Sequence, residues 1–452
     1  MASGRGEFSS RFGFIMAAAG SAVGLGNIWG FPTQAASNGG AAFLLVYLLL
    51  AFVLAYPVLM AELIIGRHAH ANAVRALQTI SGNDIARRSG RLAGTIGLVV
   101  ASFILSFYGI VAGWMLAHCL GSLAALLGLD ALQAWLIGFS FERNALFMLL
   151  FMAATAGIIS AGVHNGIERW SSRLMPLLLF TLAALVVYVL TLDGAMDGLR
   201  VYLLPDFGAA LAPSLVIKAM GAAFFSLSLG VGTMLIYGSY LSDRESLPVV
   251  GGLVTLVDIA IAVLAGFLVL PAMYVALNNG VEIFTSGGTL ISEDTLIFTV
   301  LPELFATMGV VGALVSLLFF FLMSIAALTS SISMLEPPVA YAIEEHGLSR
   351  HRAVTLIAAI ITGISLCILL NFELLFGLVI AATTRYSQPL LGLVFCVYVG
   401  WVWHRNGILA ELQRGEPDVG NTLFWRIWPW HVRFVCPVII AAIFLQNLLP
   451  SS

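Results

Sequence analysis

Charge is what this chain has least of. Among 452 residues, 20 are Lys or Arg and 23 are Asp or Glu, 10% of the total, while 60% are hydrophobic and the mean hydropathy is +1.01. Soluble domains carry about 25% charged residues and need them to cover their surface. A body of this size in water is therefore excluded, and so is a disordered chain, whose composition is the reverse. Gly numbers 45, far from the third that collagen requires. The net charge of −3 leaves no basic face for nucleic acid. Cysteine is scarce as well. Cys119, Cys367, Cys396 and Cys436 lie in apolar stretches, where reduced buried thiols are the rule, so no disulfide framework is expected. No cluster of metal ligands and no nucleophile with a base stands out. The histidines are peripheral except His118, which reads as structural, so an enzyme is not expected. Residues 1–11 are short and polar, unlike a cleavable signal.

What remains is apolar sequence in runs long enough to cross a hydrocarbon core, which takes about 20 residues of helix. The expectation is an all-α, polytopic membrane protein with eleven spans over 12–35, 41–66, 92–126, 143–162, 166–191, 214–240, 246–277, 310–342, 350–370, 374–403 and 426–448. Cytoplasmic loops collect Lys and Arg. With the N-terminus inside, sixteen of the 20 cations fall on the cytoplasmic side; Arg143, Arg200 and Lys218 fall outside, and Arg385 lies within span ten. The external loops are acidic, with Asp193, Asp197 and Asp206 in one and Glu282, Glu293, Asp294 and Glu303 in another. The expected location is the plasma membrane, the inner membrane of the cell, with a cytoplasmic N-terminal segment over 1–11.

Two spans are interrupted at mid-depth by small residues. Span one reads Gly20-Ser-Ala-Val-Gly24-Leu-Gly26-Asn27, and span six reads Phe225-Ser-Leu-Ser228-Leu-Gly230-Val-Gly232. Small residues also serve close helix packing. Here, however, the interruptions are five spans apart, in the first helix of each half of a five-plus-five arrangement. Broken helices at matching positions mark the central site of many transporters. Five helices per half force the halves to be inverted, with repeats at 12–191 and 214–403 and an eleventh helix at 426–448.

The stretch Arg11-Phe-Gly-Phe through Ala17-Ala-Ala-Gly-Ser-Ala-Val-Gly-Leu-Gly-Asn-Ile-Trp29, then Phe31-Pro32 and Asn38-Gly-Gly, resembles the neurotransmitter:sodium symporter family, in its eleven-helix bacterial amino-acid transporter branch. Glu62, Gly66-Arg67, Ala327-Leu-Thr-Ser-Ser-Ile332 and the pair Gly166 and Pro176 extend the resemblance along the chain. In that family the last pair accompanies unwinding of helix five; an ordinary proline kink is the other reading.

The resemblance implies two sodium sites. The first would use Ala22, Asn27, Ser226 and Asp258; the second would use carbonyls of Gly20, Val23 and Ala326 with the hydroxyls of Thr329 and Ser330. Paired helix hydroxyls also back-bond to the preceding turn. Asp258 stands where the family usually has asparagine. An intramembrane carboxylate points to function, although a protonated, hydrogen-bonded Asp is the alternative. Positions corresponding to the chloride site of relatives are Tyr47, Ala222, Ser226, Asp258 and Ala262, so two polar ligands are missing while Asp258 supplies a fixed anion. Chloride should be dispensable.

The substrate implied is a neutral, hydrophobic L-amino acid. Its carboxylate would meet the N–H groups of Leu25 and Gly26 and the Tyr108 hydroxyl, its amine the carbonyls around Ala22, Phe225 and Ser228. Its side chain would lie among Ile104, Phe225, Ser228, Val231 and Met334, with Ser21 and Ser330 completing the set. At the cytoplasmic end Arg5 and Glu344 match a family ion pair, beside Ser239 and Tyr240, with Phe8 in place of a tryptophan. At the external end the family's salt bridge is lost, because its positions are Gly30 and Ile380. Tyr108 and Phe225 remain as an aromatic lid. Arg385 is read as a gate cation, as a reader of an extra anionic group on the substrate, or as a structural residue. A channel or sensor on the same scaffold is the rival from another class. A homodimer stays open.

Overall fold

The computed structural model of the chain describes residues 6–205, 212–283 and 296–448. Arg5, Asp206, Glu293 and Asp294 lie outside the described residues. Among the described residues all regular structure is helical. Among the described residues eight helices are long and apolar enough to span a bilayer: Ala41–Ala69, Asp84–Leu126, Phe141–Ser160, Val163–Val189, Leu247–Asn278, Gly309–His346, Arg350–Leu370 and Leu423–Leu448. They are spans two to five, seven to nine and eleven. Span one is Arg11–Ala22 and Gly26–Ser37, bent by 59° at the break. Span ten, Phe372–Val402, turns by 103° into the helix Arg405–Gly415. Span six consists of Pro213–Ser226 and Thr233–Gly238, neither long enough to cross alone. All eleven segments of the sequence reading are thus present, and both anticipated interruptions are real breaks.

The layering follows from composition. The first half of span one, rich in Ala and Gly, is buried on nearly every side; Phe14, Ala18 and Ala19 have no exposed surface. A helix apolar all round belongs at the centre. Leu49, Leu92, Phe180, Val187, Leu256, Leu374 and Val438 lie exposed on the perimeter, where lipid tails would meet them. Spans three and eight form the most extensive helix pair and brace the core.

Small residues set how closely the broken helices approach their neighbours. A Cβ added to Gly66 in span two would lie 1.9 Å from the Leu235 carbonyl oxygen, and one on Gly238 would lie 2.7 Å from that of Leu63. The two backbones are therefore in direct contact. Beside them Arg67 is fully buried. Its Nε meets Glu411 Oε1 at 2.7 Å, while Nη1 donates to Glu245 O at 2.6 Å and Nη2 to Glu411 O at 2.5 Å. A buried pair is tolerated only when its remaining donors are satisfied in this way.

Gly66→Ala should lower the thermal unfolding midpoint in detergent, at a cost of about 1–3 kcal/mol from overpacking. Gly252→Ala, at a helical position with open space beside it, should leave the midpoint unchanged or raise it.

Candidate functional site

The breaks create the site. The first half of span one ends at Ala22, and Val23 turns to φ −74°, ψ 99°. The chain then re-enters a helix through a π-helical turn over Gly26–Gly30. Such wide turns recur at functional positions. At the start of the second half, N–H groups that no helical carbonyl answers border the gap. One of them, Leu25 N–H, donates to the Tyr108 hydroxyl at 3.3 Å. Gly24 lies between Tyr108 and Ser330: a Cβ there would come 2.8 Å from Ser330 Oγ and 3.0 Å from the tyrosine oxygen.

Span six breaks under more strain. Ser228 has φ +51°, which side chains other than glycine rarely adopt, and Gly230 and Gly232 follow at +78° and +81°. A non-glycine residue in this region costs about 1–3 kcal/mol and is held only by its surroundings. Those surroundings are visible. Ser228 Oγ donates to Ser21 O at 3.0 Å, Gly230 N–H donates to Glu62 Oε1 at 2.7 Å, and Gln388 Nε2 donates to Leu229 O at 2.8 Å.

Two groups of oxygens flank the breaks. In the first, Asn27 Nδ2 donates to Asp258 Oδ1 at 2.7 Å and to Ser226 Oγ at 2.9 Å, and Ser226 Oγ donates to Asp258 Oδ2 at 2.6 Å. Tyr47 OH is 3.0 Å from the same Ser226 oxygen. Both carboxylate oxygens of Asp258 thus accept. Ala22, the fourth residue expected there, ends the helix and lines the adjoining cavity. In the second group, Ser330 Oγ lies 3.3 Å from Gly20 O and 3.2 Å from Val23 O, and Thr329 Oγ1 lies 3.1 Å from Ala326 O. Ser330 thus joins Gly20 and Val23 across the two spans and Thr329 packs beside Gly20, while the Thr329–Ala326 bond lies within span eight. Their donor set, neutral carbonyls and hydroxyls, suits a hard cation that replaces these hydrogen bonds with coordination.

Between the groups lies a cavity of about 810 Å³. Of the residues expected to hold substrate, Ala22, Leu25, Gly26, Ile104, Tyr108, Phe225, Ser228, Val231, Ser330 and Met334 line it. Ser21 does not. Its carbonyl serves Ser228, and its hydroxyl is buried without a partner among the described residues. Sequence reading missed Trp29, Phe107, Trp114, Thr384 and Gln388. The signal for span ten was available: Phe372, Phe376, Ile380, Thr384 and Gln388, all at the cavity, recur every fourth residue. None of the lining side chains among the described residues carries a full charge.

The family model described as the Sodium:neurotransmitter symporter family matches residues 5–137 and 142–451. The chain belongs to this family. A sodium-dependent transporter of Bacillus subtilis, YhdH, is 34% identical over 461 residues, 97% of each chain. The crystal structure of MhsT in complex with L-phenylalanine superposes with a TM-score of 0.83 at 35% identity, covering 98% of this chain and 100% of that one. The sodium-dependent neutral amino acid transporter B(0)AT2 of Pongo abelii is 25% identical over 302 residues, 60% of this chain and 40% of the relative. The protein is accordingly a sodium-dependent transporter built as a multi-pass helical membrane protein.

The chemistry differs between the N-terminal side of the broken helices and the cavity mouth. At the end nearest the N-terminus, Phe8 is buried, its N–H donates to Tyr240 O at 3.1 Å, and its ring meets those of Phe14 and Tyr237. Tyr240 OH donates to Glu336 Oε1 at 2.7 Å, and Arg350 pairs with Glu336 at 2.6 Å. Glu344 accepts from Asn72 N–H at 2.8 Å; its expected partner Arg5 lies outside the described residues. Span five begins with a π-helical turn over Val163–Glu168, while Pro176 sits inside the continuous helix Arg169–Val189. Glu168 holds the N-terminal segment: Ser9 N–H and Oγ at 2.8 Å each, and Ser10 N–H and Oγ at 3.1 and 2.9 Å.

At the other end Gly30 and Ile380 both line the cavity mouth, with Trp29, Trp114, Phe372 and Phe376. The rings of Tyr108 and Phe225 line the cavity without pairing with each other among the described ring contacts. Arg385 does not line the cavity. It is exposed, its guanidinium lies over the Tyr386 ring, and Asn447 of span eleven donates to its carbonyl. The physical reason is register. Thr384 and Gln388 face the cavity, and Arg385, one residue beyond Thr384 in the π-helical turn Ala381–Ser387, is rotated by roughly a quarter of a turn away from it.

Glu168→Gln should release the N-terminal segment. Amide hydrogen exchange at Ser9 and Ser10 should quicken more than tenfold, while that of the span-three helix stays unchanged.

Proposed function

We propose that the protein is a symporter that carries a neutral, hydrophobic L-amino acid into the cell across the plasma membrane, driven by sodium at two sites. The observation that carries the reading is a cavity with no charged lining side chain among the described residues, set between two broken helices and next to two oxygen groups suited to hard cations. A zwitterion needs no counter-charge from side chains where broken helices supply them. N–H groups at Leu25 and Gly26 with Tyr108 would receive its carboxylate, and carbonyls near Ala22, Phe225 and Ser228 its amine. Ile104, Val231 and Met334 give the rest of the cavity an apolar wall. The phenylalanine bound by MhsT and the neutral amino acid named for B(0)AT2 support the same class.

Sodium would occupy one site among Ala22, Asn27, Ser226 and Asp258, and another among Gly20, Val23, Ala326, Thr329 and Ser330. Filling both would draw the broken halves of span one toward spans seven and eight, so that closure of the outer path depends on ions as well as substrate. Asp258 supplies the fixed anion beside Tyr47 and Ser226, so chloride is dispensable. Transport proceeds by alternating access of the repeats at 12–191 and 214–403, with the N-terminus cytoplasmic. The end held by Phe8, Tyr240 and Glu336 is then the inner gate. Arg385, exposed and outside the cavity lining, lends no support to an anionic substrate side chain.

Proteoliposomes with an inward sodium gradient should accumulate labelled L-phenylalanine, equally well when gluconate replaces chloride. Uptake that persists in choline, or that no neutral amino acid stimulates, would overturn the reading. Asp258→Asn should raise the sodium concentration for half-maximal uptake about tenfold, the loss expected from a charged ligand's interaction of about 1.5 kcal/mol or more.

A further inference from the structure

The carboxylate and amine of an amino acid are accounted for by the span-one and span-six breaks, which leaves the far end of its side chain. This inference rests on the amino-acid reading above and asks which side chains are preferred. Several polar side chains at the cavity are committed. Ser228 Oγ is bonded to Ser21 O, Ser330 Oγ to Gly20 and Val23 carbonyls, and Thr384 Oγ1 to Ile380 O at 2.6 Å.

Gln388 Oε1 has no partner among the described residues, and the same holds for Asn27 Oδ1 and for the indole N–H groups of Trp29 and Trp114. Gln388 lines the cavity and is 4% exposed. Its backbone is pinned: its N–H bonds to Thr383 O across the π-helical turn Ala381–Ser387, and its carbonyl abuts Gly230, where a Cβ would lie 2.1 Å away. Its side chain is pinned by the 2.8 Å bond from Nε2 to Leu229 O. A primary amide has two donors and an acceptor oxygen. Only that one donor is used by the described residues. Because the amide is planar, holding Nε2 on the span-six carbonyl also fixes the direction of Oε1.

We propose that Gln388 is a specificity-determining residue whose Oε1 accepts a hydrogen bond from the end of the substrate side chain, favouring aromatic amino acids with a ring donor, tryptophan and tyrosine. Phe225, Val231 and Phe376 supply apolar surface for the ring, and the ring's N–H or O–H satisfies an acceptor that an isostere without the donor leaves unpaired. An unsatisfied buried polar group penalises the wrong ligand more than a met one rewards the right ligand. A purely structural Gln388, tying span ten to span six, would affect all substrates alike.

The test is competition against labelled L-phenylalanine on the purified full chain in sodium. Tryptophan is compared with its benzothiophene isostere, 3-(3-benzothienyl)-L-alanine, which has sulfur in place of the ring N–H. Tryptophan should bind about tenfold more tightly in the natural protein. The ratio should fall to about twofold or less in Gln388→Met, with phenylalanine still bound. A ratio near one in the natural protein overturns the proposal without any variant. So does a ratio unchanged in Gln388→Met. If no amino acid binds in sodium, the failure lies with the substrate reading itself.

Discussion

A backbone N–H or C=O released from a helix inside an apolar bundle has no water to turn to, and each one left unmet costs free energy comparable to a lost hydrogen bond. This chain releases several at once, at two breaks facing each other in its centre. The surrounding spans are organised around answering them. Glu62 of span two takes Gly230 N–H, Gln388 of span ten takes Leu229 O, and Ser330 of span eight reaches Gly20 and Val23 carbonyls. Tyr108 of span three receives Leu25 N–H. Four different helices thus hold the breaks open by satisfying them, and the same groups are the ones a small zwitterion and hard cations can use.

The distribution of charge follows from the same constraint. Neutral hydroxyls and amides satisfy freed backbone at little desolvation cost, whereas a full charge must be paired or surrounded by donors. Asp258 meets this condition through Asn27 and Ser226, and Arg67 through Glu411. The N-terminal side of the broken helices and the cavity mouth then differ in kind. One is tied by carboxylates to Ser9, Ser10, Tyr240 and Arg350. The other is an aromatic and aliphatic rim in which Gly30 leaves open space. Polar ties can exchange with water one at a time, whereas a rim of rings hides area from water only by packing, so the two ends differ in how they meet solvent.

Much of the site was legible because membrane sequences have few ways to place a polar atom. Asn27, Ser226 and Asp258 stood out against apolar helices, and all three meet. Thr329 and Ser330 could be placed opposite the span-one break, although their competing use as back-bonded helix hydroxyls was open; Thr329 does bond to Ile325 O and Ala326 O, and Ser330 crosses to span one instead. Arg385 and Arg143 show the limit. Both are arginines at or near spans. Arg385 is exposed beside span eleven, and Arg143, read as an external-side charge, is wholly buried, with Leu136 O and Asn144 Oδ1 at 2.8 Å and His118 Nδ1 at 3.1 Å. Their directions depend on helix register within one residue, which hydropathy does not resolve.

What the sequence determined by itself was composition-driven: eleven apolar segments, their helical state, the two interruptions and the few polar residues placed inside them. These are properties of local segments, dictated by the bilayer's intolerance of unpaired backbone and by the conformational freedom of Gly and small residues. Tertiary structure decided which freed carbonyl each hydroxyl answers, that Ser21 contributes its backbone and not its side chain to the site, and that Gln388 rather than Arg385 faces the cavity. Those outcomes depend on the rotation and approach of one helix against another, fixed by contacts such as Gly66 on Leu235 and Gly230 on Gln388, whose partners lie over a hundred residues apart in the chain.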